Sequence, residues 1–400
     1  MSKYIDIFLL LFYIIVLYNR QYEHAVTNVI GRNIKRARKS SGLSQERLAE
    51  MLDISRATLS AIENGHIAID SGKLLTAAKV FGRPASDFFR AEQEALALLY
   101  RAALEEAAPP PPVRLAFERF CKAYRELEEV VGVADTQLPP PDYSSSPGAE
   151  SRPDQFAAQV AGSERQRLGF SEHDPVANVF QLLEGQGVRI FRCPLDHDNV
   201  SGISAFSLKY GPCILLNSVN TLERQIFSLA HEYGHLLMHR RFYQSAEPVS
   251  GLDKEHPMEV MADEFAARFL VPAAGLRQVF LRDIGQGDIG LQDLVFLKRH
   301  FKVSARVALR RLRDVGLIQK ERADELGAEL EKRAPEKQEL VPLGEDVLRD
   351  WNLVSRVKHL ARKAALEGMV SPGTLAELMN RNVVDAKKQV QEWRKEASLA

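Results

Sequence analysis

Apolar residues recur at helical spacing near the start of the chain: Ile30, Ile34 and Ala37, then Leu48, Ala49 and Leu52, then Leu59 and Ile62. The spacing predicts short helices in quick succession. Ser44 suits the N-cap of one of them. Ile54-Ser55 opens the next only a few residues after Leu52, so only a tight helical corner fits between. Glu63-Asn64-Gly65 ends that helix, with Gly65 able to take a left-handed C-terminal conformation. Two helices joined across such a corner form the unit that seats its second helix in the DNA major groove.

Further on, residues 91–108 read as one helix stopped by Pro109 to Pro112, and Val113 to Val131 as another. The run DTQLPPPDYSSSPGAESRPDQ has the composition of a flexible or extended linker. The period then changes. Val188–Phe191, Ser201–Leu208 and Cys213–Leu216 read as short strands broken by CPLDHDN and KYGP. An edge strand of that small sheet is suited to holding an extended peptide by strand addition. A largely buried helix starts near Thr221, and another begins at Pro257, a residue favoured in a first turn. Leu291 to Arg313 reads as two helices, Glu321 to Gln338 as a charged helix or linker, and Val341 to Ala400 as a last helical unit. In that unit Ser371 or Thr374 is placed to cap a helix, and Arg349, Arg356, Lys358, Arg362 and Lys363 give a basic face.

Length and charge refine this outline. Four hundred residues are too many for one core and imply two to four domains. With 53 Lys+Arg against 53 Asp+Glu, a uniformly basic histone-like chain or an acidic-tailed one is excluded. The charge is unevenly spread, since residues 30–91 carry eleven Lys+Arg and six Asp+Glu, a local excess that suits double-stranded DNA. Cys121, Cys193 and Cys213 are scattered and form no C-x-x-C. A disulfide scaffold and a thiolate zinc knuckle are therefore excluded, and a reducing cytoplasm is the expected setting. The apolar stretch Ile5 to Tyr18 is shorter than the ~20 residues that span a bilayer. It reads either as a start-site artefact, with Val26 or Val29 as initiator, or as a short membrane-associating segment. No membrane partner is expected.

The chemistry sits in HEYGH. His231 and His235 are four apart, so both imidazoles project from one helix face and suit a single zinc ion. Glu232 lies beside that face, placed to take a proton from water and pass it to a leaving amine. A zinc hydrolase needs a third ligand and an open fourth position. Asp253, Glu255, His256, Glu259, Asp263 and Glu264 are the downstream candidates. Glu259 and Asp263 share a face, which favours Glu259 as ligand and Asp263 as the group orienting His231 through its other ring nitrogen. Glu264 lies about 100° round the helix and is less well placed. Manganese is an alternative to zinc, because two histidines and a glutamate accept either. Tyr233, His239 and His256 are candidates for steadying an oxyanion.

Two resemblances follow from these motifs. Ser44-Gln45, Leu48-Ala49, Ser55, Leu59, Ile62 and Glu63-Asn64-Gly65 resemble the Xre/Cro-like helix-turn-helix family. That resemblance implies a five-helix DNA-binding domain, with Gln45 and Ser55 at phosphates and Arg56, Ala57, Ser60 and Ala61 at base edges. Arg56 is the best base reader, since its fork fits guanine O6 and N7. ILLN at 214–217, FSLAHEYGHLLMH, EVMADEFAARFLVP and FKVSARVALRRLRDVGLI appear in order and resemble the ImmA/IrrE metallopeptidase family. This second resemblance implies an α+β zincin-like domain in which His231, His235 and Glu259 bind zinc and Glu232 is the catalytic base. It further implies a regulator that cleaves a protein partner such as a repressor, often under stress.

The expected architecture is multi-domain and mainly α. It comprises an N-terminal extension (1–29), a helix-turn-helix domain (30–91), a helical stalk (92–132) and a linker (133–155). A metallopeptidase-like domain (156–318), a charged linker (319–340) and a helical C-terminal unit (341–400) follow. The stalk is a candidate homodimer contact. Two functions remain open. One is a DNA-binding regulator that is also an endopeptidase acting on a repressor or toxin partner. The other is a transcriptional regulator or antitoxin whose peptidase-like domain senses a metal or ligand without cutting.

Overall fold

The computed structural model of the chain describes residues 30–81 apart from 32, 36, 39, 40, 42 and 65, then 85, 88, 98–100, 111–134, 139–144 and 152–195. It continues with 200–244 apart from 208, then 256–285, 288–335, 338–344, 347, 355–379 and 381–398. The apolar stretch at 5–18, Gly65, Asp253, Glu255 and Arg349 lie outside the described residues. The chain forms two compact units, Met1–Ala95 and Leu96–Ala400.

The first unit is helical. Residues 30–38 are helical wherever described, followed by α1 (Gln45–Met51), α2 (Arg56–Glu63) and α3 (Ser71–Phe81). The fifth expected helix falls mostly outside the described residues. Ser44 caps α1 by accepting from Arg47 N at 3.1 Å, and Ser55 caps α2 by accepting from Thr58 N at 3.0 Å. The corner between them turns at Asp53, whose φ of 50° is left-handed. Lys73 Nζ holds that corner by donating to the Asp53 carbonyl and carboxylate. Ile34, Leu48, Leu52, Leu59, Ile62 and Leu74 meet in one core, as their helical spacing requires.

The second unit is built on a four-stranded sheet of order β1-β3-β4-β2, with β1 Leu98–Tyr100, β2 Arg189–Cys193, β3 Gly202–Ser207 and β4 Gly211–Asn217. β3 runs antiparallel to both β1 and β4, whereas β2 and β4 are parallel. Both faces of the sheet are covered, so its strands read as near-continuous apolar runs. Val188, Ile190, Ile214 and Leu216 face one core, formed with α5 (Pro153–Arg167), α7 (Leu222–Met238), α8 (Pro257–Leu270), α10 (Leu291–Phe301), α11 (Ala305–Asp314) and α12 (Lys320–Arg333). The elements α6 (Val179–Gly185) and α9 (Ala273–Val279) pack into the same core. Phe191, Ile203, Cys213 and Leu215, on alternate positions, face a second core with α4 (Pro111–Val131), α13 (Arg356–Leu366), α14 (Pro372–Leu378) and α15 (Val383–Ala397). The helix expected at 113–131 and those of the C-terminal part thus share one core. Among the described residues no helix is long and apolar enough to cross a membrane.

Three features depart from the sequence reading. The helix expected over 91–108 is corrected at its middle, where Leu98–Tyr100 is a strand. The open edge of β3 supplies ladder partners that outweigh helix propensity. The Pro-rich segment is partly anchored: Tyr143 N donates to Leu237 O at 2.8 Å, and Arg240 Nη2 donates to the carbonyls of Pro140 and Pro141. Proline carbonyls, with no N–H of their own to place, make ready acceptors there. The basic face of the last unit is partly consumed. Arg356 is bound to Glu128 and Tyr124, and Arg362 pairs with Glu396 at 3.1 Å.

Candidate metal centre

The helix α7 that carries HEYGH is buried along nearly its whole length. Its polar side chains are therefore held by specific partners rather than by water. Glu223 meets Lys298 at 2.5 Å, both fully buried, and Gln225 Nε2 donates to Asn220 O at 2.7 Å. Gly234 sets how closely the next helix approaches: a Cβ there would lie 3.0 Å from the Phe265 ring. Close packing of α7 on α8 brings Glu259 to the two histidines.

His231 Nε2 and His235 Nε2 are 3.1 Å apart. Glu259 Oε2 is 3.3 Å from His231 Nε2, and Glu259 Oε1 is 3.3 Å from His235 Nε2. Bonds of about 2.0–2.1 Å to one tetrahedral zinc put its ligand atoms about 3.3 Å from each other. The donor set therefore fits such an ion in both chemistry and spacing, and all three residues are buried. Glu264, the competing candidate, turns away to pair with Arg268 at 3.1 Å and with Arg310.

Each histidine has a second partner. Asp263 Oδ1 lies 2.8 Å from His231 Nδ1, and His239 Nδ1 lies 2.8 Å from His235 Nδ1. If His235 offers Nε2 to a metal, its Nδ1–H donates and His239 must accept as a neutral ring. Burial and the neighbouring His235 agree with that tautomer, pushing His239 well below its ordinary pKa. Burial pulls His231 down, but the acceptor carboxylates of Asp263 and Glu259 outweigh it and raise His231 to about 10. Burial likewise opposes the ionised form of Glu259, yet its bonds to the two histidines drive it well below the usual carboxylate range.

Glu232 is 3% exposed, and burial holds its carboxyl above the usual range. Ser204 Oγ donates to Glu232 Oε2 at 2.5 Å, and Tyr243 OH donates to Ser204 Oγ at 2.8 Å. β3 passes so close that a Cβ on Gly202 would sit 2.9 Å from Glu232 Cγ. Sequence reasoning missed Ser204 and Tyr243, which come from a strand and a short 3-10 helix (Arg240–Gln244) with no shared period. It named His239 in another role, although its place four residues after His235 signals a shared face. Tyr233 donates to Glu164 Oε1 at 2.5 Å in the core, and His256 caps α8 by accepting from Met258 N. Asn217 is fully buried, accepting from Leu195 N and Val219 N, and ties loop to strand.

In the first unit the residues singled out for DNA lie around α2. Arg56 and Ala57 are exposed, Arg56 at 66% and paired with Glu46 at 2.8 Å. Ser55 is exposed, while Ser60, Ala61 and Gln45 are half-buried. Gln45 Nε2 donates to Glu63 Oε2 at 2.9 Å, beside a buried pair in which Arg38 Nε meets Glu63 Oε1 at 2.7 Å.

Comparison with known proteins matches residues 183–313 to the IrrE N-terminal-like domain family and residues 34–88 to a helix-turn-helix family. An uncharacterized HTH-type transcriptional regulator of Rickettsia conorii is 30% identical over 96 residues, covering 24% of this chain and 67% of the relative. One from Rickettsia prowazekii is also 30% identical over 96 residues, covering 24% of this chain and 65% of the relative. Bacillus thuringiensis PlcR in complex with the peptide PapR7 and DNA is 12% identical with a TM-score of 0.16, over 93% of this chain and 96% of that one. The apo competence regulator ComR of Streptococcus vestibularis is 13% identical with a TM-score of 0.16, over 83% and 98%. Superpositions at that score define no shared fold.

Proposed function

Because this chain belongs to the HTH-type transcriptional regulators and carries an IrrE N-terminal-like domain, we propose that it joins DNA binding to hydrolysis of a peptide bond in a protein partner. The partner class is a repressor or a toxin-type protein, and the setting is the cytoplasm. The observation that carries the peptidase half is the convergence of His231, His235 and Glu259, with donor atoms within 4.8 Å of one another, beside a buried Glu232.

A zinc ion, or manganese, held by those three residues would supply a Lewis acid and lower the pKa of water at the site. The protein's own groups do the rest. Asp263 fixes the ring and tautomer of His231, and His239 does the same for His235. Glu232 takes the proton of the attacking water and returns it to the leaving amine. Its burial brings its pKa toward the working pH, where one group serves as both base and acid. Ser204 donates to one oxygen of Glu232 and so orients it, with Tyr243 behind. In the first unit α2 enters the major groove, Arg56 reads guanine, Ala57, Ser60 and Ala61 line the base edges, and Gln45 and Ser55 approach phosphates.

A comparison of protein N-termini in cells carrying the chain or its Glu232→Gln variant tests this reading. At least one partner fragment should vanish in the variant while zinc content and DNA binding persist. The occupied outer edge of β3 favours a second reading, in which the domain senses metal or ligand without cutting. Identical N-termini in both strains, with zinc bound in both, would establish that reading instead.

A further inference from the structure

Away from the metal centre, α5, the end of α8 and α11 line a cavity of about 470 Å³. Each helix brings an arginine to its wall: Arg165 from α5, Arg268 from α8 and Arg311 from α11. Arg268 lies nine residues past Glu259, about 13 Å along α8, and the cavity shares no lining residue with the metal centre. Arg165 is 4% exposed and Arg311 1%. Arg165 donates to the carbonyls of Phe269, Ser171 and Asp174, and Arg311 to that of Val271. Carbonyls satisfy the N–H groups but bring no full negative charge. Carboxylates are fewer than guanidiniums here. Glu264 is shared between Arg268, at 3.1 Å, and Arg310, while Asp314 lies 3.6 to 3.8 Å from Arg310, Arg311 and Arg313. The Asp174 carboxylate accepts from Ser171 N at 2.8 Å, and Glu172, which also lines the cavity, is exposed. Burial holds the Arg165 guanidinium below its ordinary value and pushes Arg311 down to about 10. The remaining wall is small or apolar. Ala158, Ala161 and Gly162 share the α5 face of Arg165, and the Arg165 guanidinium lies 5.3 Å from the centre of the Phe170 ring.

We propose that this cavity binds a small organic anion, a carboxylate or phosphate group carried on a compact apolar body. The anionic group lies among Arg165, Arg268 and Arg311, and the body lies against Phe170 and the small residues of α5. Guanidinium forks suit groups with two or more oxygens in a plane or cluster. A buried cation is stabilised when an anion pairs with it, and the ligand supplies the charge that the surrounding carbonyls lack. The volume is that of a small-molecule site, and so is the lining, mostly apolar with a few converging polar groups. Arg165 and Arg311 also brace the end of α8 through the Phe269 and Val271 carbonyls. Bracing alone asks for neither a cavity nor a face of small residues opposite the guanidiniums. A bare ion would leave the apolar wall unfilled, and a neutral molecule would leave the charge uncompensated. The site goes beyond the peptidase reading and stands whether or not the metal centre cuts.

The test uses full-length, zinc-loaded protein. The probes are phenyl phosphate and benzoate, with inorganic phosphate and benzyl alcohol as the head and the body alone. Calorimetry reads stoichiometry and affinity, and melting temperature reads stabilisation by a ligand that binds the folded chain. One phenyl phosphate or benzoate should bind per chain and raise the melting temperature, and the tighter of the two assigns the head group. Inorganic phosphate and benzyl alcohol should each bind about tenfold more weakly or worse. A Cβ on Gly162 would meet nothing within 4 Å. Gly162→Leu therefore puts a side chain into the cavity without touching an arginine, and leucine favours the helix. That variant should keep its zinc and its ligand-free melting temperature and lose the anion. Arg311→Met should weaken the anion about tenfold or more; should it fail to fold, Gly162→Leu decides alone. No saturable binding of either probe would overturn the site and leave the arginines as braces of α8. Binding that survives Gly162→Leu but is lost in Glu259→Ala would put the anion at the metal and overturn the site as well. Inorganic phosphate binding as tightly as phenyl phosphate would overturn the apolar body. None of these readouts needs hydrolysis, so their failure is distinct from failure of the N-terminus comparison above.

Discussion

The two units handle polar side chains in opposite ways. Around the HEYGH helix the two histidines and Glu232 are buried and held from behind: Asp263 behind His231, His239 behind His235, Ser204 and Tyr243 behind Glu232. In the helix-turn-helix unit the buried Arg38–Glu63 pair braces the fold. The residues facing outward are held loosely, as in the exposed Arg56–Glu46 pair. A reactive centre needs geometry fixed before substrate arrives. A DNA-reading surface takes its final geometry from the duplex, so an exposed side chain held by a weak surface pair costs little to reorient.

That contrast is breakable. The largest expected effect is at the metal. Glu259→Ala should take zinc from one ion per chain to none by mass spectrometry, with DNA binding unchanged. A variant that keeps its zinc would refute the ligand set. Glu232→Gln should keep the metal and slow peptide hydrolysis by roughly 10²–10⁴-fold, the usual contribution of acid–base catalysis. In the other unit, Glu63→Ala strands the Arg38 charge and should cost about 3–5 kcal/mol, read as faster hydrogen exchange at Leu59 and Ile62 with no change at the metal. A pH series sharpens the comparison further. His231 is raised from 6.5 to about 10 in the metal-free fold. Its stabilisation is therefore fully present below pH 6.5 and is lost as pH rises through 10. Melting temperature of the metal-free protein should fall across that window, and zinc, which replaces the proton, should abolish the fall. Asp263→Asn should flatten the same slope and weaken zinc affinity about 10–100-fold. The smallest effect is at Arg56→Ala, which should cost about 1–3 kcal/mol of discrimination at one base pair in a binding assay. Uniform weakening on all sequences would mean a phosphate contact instead.

What the sequence made legible was local. The i,i+4 spacing of His231 with His235 and of Glu259 with Asp263 needs only helix geometry, and both spacings meet in the structure. Ser44 and Ser55 were readable as caps because capping is decided within three residues. Strands β2, β3 and β4 were readable because β-branched and aromatic residues cluster between turn signals. Ser204 and Tyr243 were not legible, since nothing in a strand serine says which helix it will face. Leu98–Tyr100 was misread for the opposite reason, because its Ala- and Leu-rich surroundings carry a helical pattern that a distant strand edge overrides. The pairing of the 111–131 helix with the C-terminal helices was likewise invisible, because amphipathic faces do not name their partners.

The ion pairs around Glu128 have a consequence for how the chain is made. Glu128 grips Arg189 from the sheet and Arg356 from the C-terminal helices, and Leu360, Leu375 and Ala386 complete the same core. During synthesis, the sheet face bearing Phe191, Ile203 and Leu215 stays half-covered until the ribosome has passed residue 386. Late-closing contacts of this span are slow to form and leave apolar surface open to aggregation. The stretch 183–313 that carries the family signature therefore shares both of its cores with residues that precede and follow it.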